Sequence, residues 1–273
     1  MTGFHEIANG VHVLRYPVLD VNITLVVGAG RAMLVDTLST PAQAGELLAA
    51  VRQITTAPLV AVNTHHHFDH CFGNATIAAT GAPIWGHAAT VELLRERAGQ
   101  LPARLAAEWA DREPALAAAL AEVTVVWPDH TVVTTATLDL GGRQVLLHHP
   151  GPGHTHGDLV LAVPDAGVLV AGDLVEEGAD PQFDDGDPVL WPDAVAALLA
   201  LAPAGATVVP CHGAVGDRAF VVAQPAELAA LSGLIRAGHA DGTPVPAVAA
   251  LAPFGRDTAV TAVRRGYACL SGR

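Results

Sequence analysis

The 273-residue chain contains no lysine; all fourteen of its basic residues are arginine. That absence removes any mechanism built on a lysine nucleophile or Schiff base. Positive charge is scarce as well, since 27 acidic residues bring the formal net charge to −13. An acidic surface without a basic stripe repels phosphate backbones, so no nucleic-acid partner is expected and a small-molecule substrate is. Cysteine is confined to Cys71, Cys211 and Cys269. This odd, widely spaced set lacks a Cys-x-x-Cys pair, which argues against a disulfide framework or a thiolate zinc knuckle and for reduced thiols. Long apolar runs are missing too. Although 51% of residues are hydrophobic, no stretch of about eighteen escapes charge, Pro or Gly, and no membrane association is expected. The segment Met1 to Ile7 shows no basic region followed by an apolar run, so a cytoplasmic location is expected.

The length fits one enzyme-sized domain over 1–273. Short β-branched runs at Val11 to Tyr16, Asn22 to Val27 and Ala32 to Val35, punctuated by Pro17 and Gly28-Ala-Gly30, predict an opening antiparallel meander. Thr40-Pro41 starts a helix reaching about Gln53, and Leu59 to Asn63 is a buried strand. A helix after Gly73, a strand at Pro83 to Trp85 and a helical insertion at about 88–122, broken by Pro102 and Pro114, follow. The insertion is a candidate lid over a cleft. Strands return at Thr131 to Leu138, Gln144 to His148, Leu159 to Val163 and Val168 to Ala171, with a turn at Asp139 to Gly142. Pro192 to Leu201 is helical, Thr207 to Val209 a strand, and the remainder mainly helical. This order suggests two similar αβ halves. Glu176 to Pro188, rich in acids, Gly and Pro, is expected to be a flexible surface loop.

Histidine is abundant, with fourteen residues, and imidazole is the commonest metal ligand. The densest cluster, Thr64-His65-His66-His67-Phe68-Asp69-His70, directly follows the strand Leu59 to Asn63, so its side chains leave a rigid sheet edge. In an extended turn, residues two apart share a direction, which lets His65 and His67 grip one ion while Asp69 and His70 turn toward a second. Three further places put His or Asp after a predicted strand or in a Gly-rich turn: His154 in Gly151 to Asp158, Asp173 in Ala171-Gly-Asp173, and His212 in Pro210-Cys-His212-Gly. Such positions suit ligands better than core, where the same groups would need burial partners.

The ordered set His-x-His-x-Asp-His, Gly-His-Thr, Gly-Asp and a late His resembles the metallo-β-lactamase superfamily, and Leu34-Val-Asp36-Thr resembles that family's opening. The resemblance implies a four-layer αββα sandwich of mixed α/β class with the site at one edge. It implies that His65, His67 and His154 bind one metal, that Asp69, His70 and His212 bind another, and that Asp173 bridges them. Such donors suit two zinc ions, with iron or manganese possible; adjacent dications would make a bridging hydroxide available near neutral pH for attack on an ester, lactone, thioester or amide carbonyl. Asp69 is the candidate catalytic residue, steering or accepting a proton. The competing assignments are a mononuclear iron oxygenase resembling the persulfide dioxygenases and a non-catalytic metal-binding member. His66 and His156 lie beside ligands but alternate away from them. Asp36 is a candidate partner for a ligand imidazole or a cap for the turn at Thr37, and Cys211 is expected to be a buried thiol. His87, His148 and His149 are expected to be polar rim at strand ends.

Overall fold

The computed structural model describes residues 3–272, apart from the side chain at 223. The chain divides into two compact units, one ending at Leu147 and the other beginning at His148.

The first unit is built on a seven-stranded sheet whose strands lie in chain order. β1 (His5–Ala8), β2 (Val11–Tyr16), β3 (Val21–Val27) and β4 (Ala32–Val35) are antiparallel, as the alternating β-branched runs predict. The chain then crosses over through α1 (Pro41–Ile54) and returns parallel as β5 (Leu59–Val62). Helix α1 begins where Thr40 caps it: the Thr40 hydroxyl accepts from Gln43 N at 3.3 Å, while Gln43 Oε1 accepts from Ser39 N at 3.0 Å. It buries Leu47 and Val51 in a core shared with Ile23, Leu25, Leu34 and Ala61. Each full side-chain burial of this kind contributes about 1.5–3 kcal/mol.

After β5 come α2 (Phe68–Cys71) and α3 (Asn74–Ala78), then the parallel strand β6 (Ile84–His87). The expected helical insertion is present as α4 (Ala88–Arg97), α5 (Leu101–Trp109) and α6 (Pro114–Ala121). The region breaks at Pro102 and Pro114 as expected, each proline sitting in the first turn of a new helix, α5 or α6, where a missing N–H costs nothing. Leu94, Leu101, Leu105, Leu116 and Leu120 pack on Cys71 and Phe72. The run Thr131 to Leu138, expected as one strand, is two: β7 (His130–Val132) closes the first sheet beside β6, and β8 (Thr135–Asp139) is followed by its neighbour β9 (Gln144–His148). The β8–β9 turn forms as predicted, with Asp139 Oδ1 accepting from Gly141 N at 2.9 Å and Gly142 N at 2.7 Å.

In the second unit β10 (Val160–Val163) and β11 (Val168–Gly172) form a hairpin, β12 (Thr207–Pro210) runs parallel to β11, and β13 (Gly216–Asp217) is antiparallel to β12. The β11–β12 crossover contains α7 (Trp191–Leu201). Three helices end the chain: α8 (Arg218–Ala240), α9 (Val245–Ala249) and α10 (Arg256–Leu270). By length and composition α8 alone, among the described residues, reaches the threshold for a membrane-crossing helix. It nevertheless carries Pro225, Glu227 and Arg236, and buries Val221, Leu228, Leu231 and Ile235.

The segment 176–188 is a loop, as expected, but one that lies only partly at the surface. Glu176, Phe183, Gly186 and Asp187 are buried. Phe183 lies against Trp191 and Phe254 at ring distances of 5.0 and 5.7 Å, and Asp187 Oδ1 accepts from Val189 N and Leu190 N as the chain enters α7.

Candidate metal centre

Strand β5 delivers Asn63 and Thr64 to the end of the first unit's sheet, and the histidine segment starts there. His65 is buried, His67 is half-buried at the N-cap of α2, and Asp69 and His70 are buried on that helix. Asp69 and His70 are therefore turned by a helix rather than by the extended turn expected. The His65 ring lies 4.6 Å from that of His67 and 4.3 Å from that of His70. All four first-unit candidates are thus brought together. His66 is buried with its ring 4.7 Å from that of His67, and its carbonyl accepts from the Cys71 thiol at 3.2 Å. Burial pushes the Cys71 thiol well above its ordinary range, so it serves as a neutral donor.

Asp36 organises this cluster from behind. The residue is fully buried and has φ +66°, a left-handed conformation that Asp tolerates better than most residues. Its carboxylate accepts from Thr64 N at 2.7 Å, from Thr64 Oγ1 at 2.8 Å and from His70 Nδ1 at 2.9 Å. The ligand-imidazole role is therefore the one the structure assigns to Asp36. The Thr64 hydroxyl, having donated its proton to Asp36, can only accept from His65 Nδ1, 3.0 Å away. Both histidines consequently carry a proton on Nδ1, which makes Nε2 the atom through which either would bind a cation. Gly73 lets the segment pack down on the turn after β4, because a Cβ there would stand 1.9 Å from the Thr37 carbonyl oxygen.

The second unit repeats this logic with different parts. The Gly-rich loop holding His154 is tied by Asp158, whose carboxylate accepts from Thr155 N at 2.9 Å and Thr155 Oγ1 at 2.6 Å. His154 is buried, and its Nδ1 meets the carbonyl oxygen of Gln182 at 3.2 Å. A carbonyl only accepts, so His154 again carries its proton on Nδ1, and Nε2 is the atom turned toward Asp173. Asp173 follows β11 directly and His212 follows β12. Asp173 Oδ2 stands 3.4 Å from both His154 Nε2 and His212 Nε2. In the first unit Asp69 Oδ2 likewise stands 3.4 Å from His70 Nε2.

Each pair sets an imidazole nitrogen and a carboxylate oxygen side by side, close enough for one cation to take both as ligands. The imidazole and carboxylate donors of each unit fit zinc, and iron or manganese by the same donor types. Sequence reasoning missed the parts that set the tautomers: Thr64 is a hydroxyl inside the motif, and Gln182 acts through its backbone.

The residues set aside have structural roles. His87 caps α4, accepting from Ala89 N at 3.2 Å, and its Nε2 meets Val133 O at 3.0 Å. His149 Nδ1 bonds Asp158 O at 2.8 Å, and burial holds the His148 imidazole below its usual pKa. Cys211 is buried, as expected, and His156 is exposed.

Comparison with known proteins agrees with this chemistry. Residues 16–213 match the family described as the metallo-beta-lactamase superfamily. A hydroxyacylglutathione hydrolase of Acidiphilium cryptum (strain JF-5) is 32% identical over 196 residues, covering 71% of this chain and 65% of that protein, so the match spans just under two thirds of the relative's length. Among solved structures, a metallo-beta-lactamase from Pontibacter korlensis superimposes with a TM-score of 0.68 at 24% identity, over 84% of this chain and 99% of the other. A metallo-beta-lactamase from Erythrobacter litoralis gives 0.65 at 22% identity over 83% and 95%. These likenesses show the fold, which is of the type predicted from the sequence.

Proposed function

The chain belongs to the metallo-β-lactamase superfamily, and from that premise we propose that it is a dinuclear metal-dependent hydrolase of a small molecule carrying an ester, lactone, thioester or amide. Its ligands are His65, His67 and His154 for one ion and Asp69, His70 and His212 for the other, with Asp173 shared. Zinc is the ion these donors suit best. The observation that carries this reading is that His65, His70 and His154 are each anchored at Nδ1 by a different oxygen acceptor. A structural histidine needs no such agreement; a set of ligands does.

When bound, the ions would supply hydroxide near neutral pH and polarise the carbonyl under attack. The chain's own groups do the rest. Asp36, Thr64 and the Gln182 carbonyl keep the lone pairs on Nε2. Asp69, nearly buried, is placed to steer the attacking water and take its proton. His212, whose side chain is 20% exposed, is the most open of the second-unit ligands.

A thioester is the first substrate to test, because the curated relative is named for hydrolysing one. The appropriate experiment is a panel of thioesters, lactones, esters and amides assayed before chelation, after it, and after zinc is restored. Hydrolysis that disappears and returns with zinc supports the reading. Asp69→Ala should abolish turnover while leaving the far-ultraviolet circular dichroism unchanged; full activity in that variant would refute the role given to Asp69.

A further inference from the structure

The family match ends at residue 213, and the chain beyond it consists mainly of α8, α9 and α10. We infer that this C-terminal helical segment is part of the metal-site machinery, with Arg265 on α10 acting as a positioning residue that holds His154, through segment 180–187, in its metal-binding tautomer. The inference rests on His154 being a ligand, as proposed above.

The connection can be followed bond by bond within the second unit. Arg265 Nε donates to Gly186 O at 2.8 Å and its Nη2 to Asp185 O at 3.3 Å. Just before α10, Gly255 N donates to Asp180 Oδ2 at 2.7 Å, and Phe254 lies against Phe183. From α8, Ser232 Oγ donates to Val189 O at 3.0 Å. The C-terminal helices therefore grip segment 180–189 at both ends and in the middle.

That segment in turn grips the His154 loop. Gln182 O meets His154 Nδ1, and Asp187 N donates to Gly153 O at 2.8 Å. Gly186 lies so close that a Cβ on it would stand 2.7 Å from Gly153 O and 3.0 Å from His154 O. Segment 180–187 has no helix or strand of its own and carries four aspartates. Ordering such a stretch costs backbone entropy at every residue, so its carbonyl stays aimed at an imidazole only if something outside it supplies the order. Arg265 does so with a planar fork matched to two adjacent carbonyls. Free imidazole prefers its proton on Nε2; without the Gln182 acceptor His154 would drift to the tautomer that cannot bind a metal through that atom.

The test compares Arg265→Met, which keeps the apolar stem and removes the donors, with Arg265→Lys, which keeps one donor. Arg264→Met, at an exposed position on the same helix, is the control. Two readouts are taken on the full chain: the His154 tautomer in metal-free protein by nitrogen-15 chemical shifts, and zinc affinity by chelator competition. Wild type and Arg264→Met should show Nδ1–H. Arg265→Met should show a mixture with Nε2–H and bind zinc about tenfold more weakly, the size typical of losing support behind a ligand. Arg265→Lys should fall between.

A lower melting temperature in Arg265→Met with His154 tautomer and zinc affinity unchanged would overturn the inference, since Arg265 would then be structural only. If Arg265→Met does not fold, Asp180→Asn, which weakens the Gly255 tether, is judged by the same criteria. If wild type binds no zinc, the functional proposal fails, and the tautomer measurement still decides what Arg265 does.

Discussion

Replacing Asp36 by Asn tests the link between fold and metal site most sharply. Asn has nearly the same volume and also tolerates the left-handed backbone found at this position (φ +66°), so the change isolates the carboxylate. Three donors converge on it: Thr64 N–H, Thr64 O–H and His70 Nδ1–H. An amide offers one acceptor oxygen and one donor nitrogen. The Thr64 amide cannot adapt, so the oxygen must face it and the new NH2 must take the place of Oδ2. There the Thr64 hydroxyl can turn to accept, but His70 must surrender its Nδ1 proton and become Nε2–H. Losing one charge-assisted bond at a fully buried site costs about 1.5–3 kcal/mol. Changing the tautomer of a ligand weakens metal binding by roughly 10–100-fold. Urea unfolding in the presence of chelator measures the first effect, and chelator competition the second. Wild-type zinc affinity in Asp36→Asn would refute the tautomer argument, whatever the stability.

Two further outcomes follow from the same structure. Gly73→Ala would drive a methyl to 1.9 Å from Thr37 O and 2.8 Å from Ala44 Cβ; backbone must move, and we expect a loss of at least about 3 kcal/mol in denaturant unfolding, with near-wild-type stability contradicting the close packing of the ligand segment on that turn. Burial, reinforced by the hydrogen bond and charge of Glu46, lifts the Tyr16 phenol from 10.0 to about 12. The folded chain then keeps a proton that the unfolded chain releases near pH 10, so this contribution is complete below pH 10 and disappears as pH rises toward 12. Tyr16→Phe should lose less stability than wild type across that interval, and parallel pH profiles would contradict the shift.

The sequence was most informative where polar residues run against the grain of a strand. His65, His154, Asp173 and His212 all follow apolar strands or occupy Gly-rich turns, and they are legible because polar residues stand out there. The antiparallel meander and the α1 crossover were equally readable from β-branched alternation and the Thr40-Pro41 start. Composition was incomplete at Glu176 to Pro188: acids, glycines and prolines mark a surface loop but not its anchoring by Phe183, a single aromatic in that stretch, against Trp191 and Phe254. The break between β7 and β8 was hidden because both flanking stretches have the same β-rich character, so no change of pattern marks where one sheet is left. The Gln182 carbonyl could not be read at all, since every residue has a carbonyl and only the folded backbone selects one.

Metal content of the purified chain, measured by inductively coupled plasma mass spectrometry without added metal, is the most direct test of the central claim. The account predicts about two equivalents per chain, predominantly zinc, falling on substitution of Asp173 by Ala, which is shared between both ions in the proposal. A single equivalent of iron accompanied by oxygen uptake, or no bound metal at all, would contradict it.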